Sequence, residues 1–165
     1  MVYYSDFVTV FNDTMMLPDE STIAYKRVEL SNFCSVLPLV EDRKIAMIDI
    51  YRYPANSVSR EIPSGFIEKN EDPRAAALRE LKEETGYTAR TLRNWGWFYP
   101  WTRSTQKAYI FLAEDVVKGR SMPDRAEQIR VKLFTIDEAK KMLALGKITH
   151  PPTIIALQKL LLYTK

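Results

Sequence analysis

The sequence predicts an α+β domain, a mixed α/β/α sandwich with a sheet between helices. Three observations point there. Runs rich in β-branched and aromatic residues dominate the chain up to Tyr53, a helix with clear start and stop signals occupies the middle, and strands followed by two helices complete it.

Val8 to Phe11 and Ile23 to Leu30 read as early strands, separated by the turn-forming Leu17-Pro18-Asp19-Glu20-Ser21. Phe33 to Val40 and Lys44 to Tyr53 are strongly β-like, and Glu41-Asp42-Arg43 between them predicts a hairpin. Pro54, Asn56 and Ser57 then predict a loop. Ala75 to Thr85 is the clearest helix. Asp72 suits its N-cap, Pro73 the first helical position and Gly86 the residue just past its end. Thr91 to Tyr99 and Ala108 to Ala113 predict strands flanking a polar loop around Pro100 to Lys107, and Gln128 to Phe134 predicts another. Thr135-Ile136-Asp137-Glu138 opens a helix with a capping-box start, and Pro152 to Leu162 forms the last helix. Trp95, Trp97, Tyr99 and Trp101 recur at strand spacing, so one side of that strand faces the core or, alternatively, stacks on a substrate base.

With no internal repeat, low-complexity tract or Gly/Ser linker, the chain reads as one domain over 1–165, with residues 1–30 as its N-terminal strands. At 46% hydrophobic residues it can build a core. A net charge of +3 is too small to argue for a nucleic-acid partner. The start lacks the basic-then-apolar order of a signal peptide, and no apolar run approaches the roughly 20 residues that span a bilayer, so a cytoplasmic protein is expected. Cys34, the single cysteine, excludes an intramolecular disulfide or a cysteine zinc site and reads as a small core side chain. His150, the single histidine, precedes Pro151-Pro152 and reads as a helix-boundary residue. Acid–base chemistry must then come mainly from carboxylates.

The mid-chain helix supplies them. Glu80 and Glu84 stand at i and i+4, with Glu83 at i+3 from Glu80, so the three lie on neighbouring rows of one face. Such like-charge pairs cost a free helix about 0.2–0.5 kcal/mol each. Either a cation gathers there or the face is simply solvated. Oxygen ligands alone select hard cations such as magnesium or manganese.

The flanks favour the cation. Gly65, five intervening residues, Glu71, seven more, then Arg79-Glu80-Leu81-Lys82-Glu83-Glu84-Thr85-Gly86-Tyr87 resembles the Nudix box, G-x5-E-x7-R-E-U-x-E-E-x-G-U with U a bulky apolar residue, at every defined position. The resemblance implies the Nudix fold and hydrolysis of a nucleoside diphosphate linked to another moiety. It implies Glu80, Glu84 and the Ser64 carbonyl as metal ligands for Mg2+, with Mn2+ able to substitute. Glu83 becomes a further ligand or the catalytic base, Arg79 holds a glutamate in place, and Glu71 braces the loop.

Beyond the box, Ile50-Tyr51-Arg52-Tyr53, Glu61-Ile62-Pro63-Ser64-Gly65-Phe66-Ile67-Glu68, Tyr99-Pro100 and Thr153-Ile154-Ile155-Ala156-Leu157 resemble the ADP-ribose pyrophosphatase branch. That likeness implies Arg52 on a substrate phosphate, the alternative being a strand-end surface charge, and Phe66 beside the substrate. Glu127 occupies the position of the branch's late catalytic carboxylate, the alternative being a solvated loop charge. Two departures put ADP-ribose itself in question: Ser104-Thr105-Gln106-Lys107 lacks the branch's acidic residue, and only one acidic residue, Asp124, remains near Glu127. The expected activity is hydrolysis of a nucleoside diphosphate-sugar, ADP-ribose-like, to a nucleoside monophosphate and a sugar phosphate. A homodimer through the N-terminal strands is expected by the same resemblance. The rival readings are a non-catalytic nucleotide-sugar sensor and a hydrolase of another nucleotide class, such as a dinucleotide or an RNA cap.

Overall fold

The computed structural model describes residues 1–5, 7–119 and 129–163. Among these, the strands form two sheets. The smaller takes β1 (Tyr3–Tyr4), β2 (Val8–Met16) and β3 (Thr22–Leu30) in antiparallel order. The larger is built on the predicted hairpin of β4 (Phe33–Val40) and β5 (Lys44–Arg52).

That hairpin splays. β4 and β5 pair only at Leu39↔Ile45 and Val40↔Lys44. β6 (Ser57–Glu61) lines the diverging part of β5, while β7 (Ser64–Phe66) lines the start of β4. Ile62-Pro63 turns the corner between them, and the Val36 amide donates to the Pro63 carbonyl at 2.9 Å. The sequence predicted a loop at Ser57. The structure makes it a strand, because the splayed edge of β5 leaves backbone groups that a neighbour must satisfy. β8 (Tyr87–Phe98) and β9 (Ala108–Lys118) extend the sheet beside β4, which pairs in parallel with β9, and β10 (Ile129–Phe134) covers the other edge of β5. β2, β8 and β9 all run longer than predicted.

α1 (Pro73–Thr85) packs on one face of this sheet, and α2 (Ile136–Ala144) and α3 (Pro151–Tyr163) on the other. Strand alternation feeds both layers. On β9, Ile110 and Leu112 join the α2/α3 core, whereas Phe111 and Ala113 join the α1 core. The mixed α/β/α sandwich is thus observed. α1 begins as predicted, with Asp72 accepting from the Arg74 and Ala75 amides at 2.9 and 3.3 Å. It ends at Gly86, in the left-handed region at φ 75°. Thr135 and Glu138 form the expected capping box on α2. Such a cap is worth about 1 kcal/mol.

The aromatic run departs from its reading. A bulge between Asn94 and Trp97, with Gly96 at φ 97°, adds one residue to β8 and reverses the faces beyond it. Trp95 therefore enters the α3 core and stacks on Tyr163, ring centroids 5.6 Å apart. Trp97 pairs opposite Tyr109, on the α1 side, and it, Tyr99 and Trp101 are exposed. The core reading holds for Trp95 alone. No helix among the described residues is long and apolar enough to cross a membrane.

Candidate active site

The splay of β4 from β5 brings two clusters of charge together around the turn from Glu61 to Phe66. The first belongs to α1. Its small residues Ala76 and Ala77 lie fully buried and seat the helix against the sheet, which places Glu80 and Glu84 beneath β7. Glu84, only 3% exposed, accepts the Ser64 amide at 2.9 Å. Glu80 lies across the Cα of Gly65 so closely that a side-chain carbon there would stand 2.0 Å from its Oε1. Gly65 is needed for this close approach. Glu83 points outward and is about half exposed, beside a cleft lined by Leu78, Arg79, Lys82, Thr88 and Ala89. Two of the three glutamates are therefore not a solvated helix face.

Arg79 supplies the opposing charge. Its guanidinium grips Glu71 through Nε and Nη2 at 2.9 and 3.0 Å. It also reaches Glu80 at 2.6 Å, Glu83 at 3.2 Å and the Phe66 carbonyl at 3.0 Å. Glu71 in turn accepts the Glu68 amide at 2.9 Å, so one side chain ties the loop after β7 to the helix. The Arg79 hydrogen bond holds the Glu71 carboxyl below its usual range, and Glu71, then Glu80, raises the Arg79 guanidinium above its own.

Among the described residues, no three His, Cys, Asp or Glu side chains already meet around one point. The donors nearest Ser64 and Gly65 are nonetheless all oxygen, the set that suits a hard divalent cation. Cys34 adds no thiolate. Its Sγ–H donates to the Gly65 carbonyl, and burial, helped by the Glu80 charge, pushes the thiol up to about 12.

The second cluster stands on β5, β6 and the start of α3. Arg52 Nε and Nη2 fork onto Glu61 at 2.9 and 2.5 Å, and Glu61 is only 2% exposed. His150 Nε2 lies 3.5 Å from the Glu61 Oε2 that Arg52 holds. His150 Nδ1 lies 2.9 Å from the hydroxyl of fully buried Thr153, which accepts the Ile62 amide at 2.9 Å. Burial disfavours the Glu61 anion, but the Arg52 hydrogen bond and the positive neighbours outweigh it and lower its pKa. Burial lowers the His150 pKa, against the pull of Glu61. Arg52 is thus no mere strand-end charge, although its side chain is 39% exposed. His150 does sit at a helix boundary. Its partly buried side chain and its link to Glu61 escaped the sequence, because the pair is 89 positions apart in the chain and shares no motif.

The remaining expected residues divide. Phe66 is exposed and meets Phe7 edge-on, centroids 5.4 Å apart. Glu127 and Asp124 lie outside the described residues. The loop that lacks the branch's acidic residue packs instead on the link between the two sheets: the Lys107 amide donates to Asn32 at 2.8 Å, Gln106 reaches the Ser31 carbonyl, and the Lys107 ammonium lies over the Trp97 ring.

Known proteins resemble this chain in sequence and in fold. The sequence profile of the NUDIX domain matches residues 34–156. The chain is 30% identical over 162 residues to an ADP-ribose pyrophosphatase of Bacillus subtilis (strain 168), covering 96% of this chain and 88% of that one. It is 33% identical over 154 residues to a methanol dehydrogenase activator of Bacillus methanolicus, covering 90% and 82%. Among solved structures, a crystal structure of an ADP compounds hydrolase shares the fold with a TM-score of 0.85 at 21% identity, covering 98% of this chain and 89% of that one.

Proposed function

The chain belongs to the Nudix family of hydrolases, and on that premise we propose that it cleaves the diphosphate of a nucleoside diphosphate-sugar, ADP-ribose-like, into a nucleoside monophosphate and a sugar phosphate. The observation that carries this reading is the seating of Glu80 and Glu84 under Ser64-Gly65, beside the fork of a partly exposed Arg52 onto buried Glu61. The likeness to the Bacillus subtilis ADP-ribose pyrophosphatase over nearly the whole chain supports the substrate class.

Glu80, Glu84 and the Ser64 carbonyl would hold a divalent cation, Mg2+ or Mn2+. When bound, that cation polarises the phosphoryl group and acidifies an attacking water. Glu83, exposed at the helix edge, accepts the water's proton, with Glu127 as the other candidate base. Arg79 fixes Glu71 and Glu80, so the loop over the helix is set before substrate arrives. Arg52, oriented by Glu61, offers its guanidinium to a phosphate oxygen, and Phe66 packs beside the sugar or base. The exposed apolar side chains of the small sheet, Tyr3, Tyr4, Met16 and Ile23 among them, support the homodimer as part of the same reading.

A panel of nucleotide-sugars, assayed by product chromatography, tests it. ADP-ribose should yield AMP and ribose phosphate with Mg2+ or Mn2+, and none with chelator. Full turnover in chelator, or no cleavage of any diphosphate-sugar, sinks the reading. Glu127→Gln separates the two bases, since a large kcat loss with KM little changed would assign that role to Glu127. Light scattering of the purified protein decides the dimer.

A further inference from the structure

Arg52 and His150 converge on one carboxylate oxygen. Arg52 Nη2 lies 2.5 Å and His150 Nε2 3.5 Å from Oε2 of Glu61, which is almost wholly buried. The Glu61 carboxylate can only accept, so the neutral ring carries its hydrogen on Nε2, toward Glu61, and leaves Nδ1 to accept from the Thr153 hydroxyl, which itself accepts the Ile62 amide. In that state Arg52, Glu61 and His150 together carry no net charge. Protonation of His150 makes the cluster +1, and the imidazolium then draws on the same oxygen as Arg52.

We propose that His150 is a positioning residue for the diphosphate site: its imidazolium shares Glu61 with Arg52 and so releases part of the Arg52 charge to the substrate, which is gripped more tightly in acid. The inference rests on the reading of Arg52 as a phosphate ligand. Among the described residues, the charged groups facing His150 are Glu61 on β6 and Arg52 on β5, and Thr153 is its polar partner on α3. Arg52 opposes protonation, Glu61 favours it, and a bound diphosphate tips the balance further toward it. Acid and substrate therefore reinforce one another. Linkage makes this reciprocal: a proton that tightens the diphosphate must itself be held more tightly in the complex.

The probe is ADP-ribose without metal, because its diphosphate, unlike a terminal phosphate with a pKa of about 6, gains no proton in this range. Calorimetry should show wild-type Kd falling about twofold to threefold from about pH 7.5 to about pH 5, through the midpoint of a ring held below its ordinary value. His150→Gln should show little change over the same range. The single histidine also gives one imidazole C2–H resonance. Its titration midpoint should rise by about half a pH unit on saturation with ADP-ribose, the same factor read from the proton's side. That measurement needs no variant, so it stands even if His150→Gln folds poorly. Identical pH profiles for wild type and His150→Gln, or an unmoved midpoint, overturn the proposal and leave the substrate reading intact. A wild-type protein that neither binds nor hydrolyses ADP-ribose overturns both.

Discussion

The α1 cluster and the Arg52 cluster both hold a carboxylate against an arginine fork, yet the chain assembles them in opposite ways. Arg79, Glu71, Glu80, Glu83 and Glu84 lie within 14 consecutive residues, and helix periodicity plus one loop brings them together. Arg52, Glu61, His150 and Thr153 come from two strands and a helix whose ends are about 100 residues apart, so only the packing of α3 on the sheet closes that set. The local cluster puts its negative charge where a cation can meet it. The distant one buries its carboxylate and offers the arginine. A metal-holding site needs ligands spaced to fixed geometry, which a helix provides cheaply. A phosphate-holding arginine needs only to be aimed, which a partner from anywhere in the fold can do.

The difference can be broken at either end. The largest effect is expected in the helix: Glu83→Gln and Glu84→Gln should each lower kcat by about 10²–10⁴ at saturating magnesium, with circular dichroism unchanged. Wild-type turnover in either would remove the carboxylate from the chemistry. Gly65→Ala comes next. Its new methyl meets the far end of the Glu80 side chain, a flexible group that can swing away. The fold should therefore keep its Tm within a few degrees while metal affinity and kcat fall about 10–100-fold, and a large Tm loss with activity retained would show that Glu80 is structural only.

Arg52→Lys probes the distant cluster. Lysine keeps the charge but not the fork onto Glu61. KM should rise about tenfold, about 1.4 kcal/mol, with kcat within a few-fold. An equal fall in kcat and kcat/KM would place Arg52 in the transition state instead. The smallest effect is on stability. His150 is held neutral below its ordinary value of 6.5, so the unfolded chain takes up the proton first as pH falls. Its contribution is present above pH 6.5 and is lost as pH drops toward the lower folded-state value. Urea unfolding of His150→Gln should show a shallower loss of stability over that window than wild type. Equal slopes would mean that the ring titrates alike folded and unfolded.

Much of the chain was legible because its signals are local. Asp72, Pro73 and Gly86 bound α1 within two residues, since caps act on adjacent backbone groups. The β4–β5 hairpin followed from the turn at Glu41 to Arg43. The failures are non-local. β6 forms at Ser57 only because β5 splays from β4, and nothing in Ser57 to Glu61 announces an open edge. The aromatic stripe obeyed its two-residue period until the Gly96 bulge reversed it, and a glycine inside a strand signals such a bulge without saying which face each ring then takes.

The sequence by itself therefore determined the sandwich, the box helix and the row of carboxylates along it, because each depends on spacing along single elements. Tertiary structure alone decided which glutamates are buried, why Gly65 must lack a side chain and which carboxylate aims Arg52. Those depend on distances between elements, and chain spacing does not encode a distance until packing sets it.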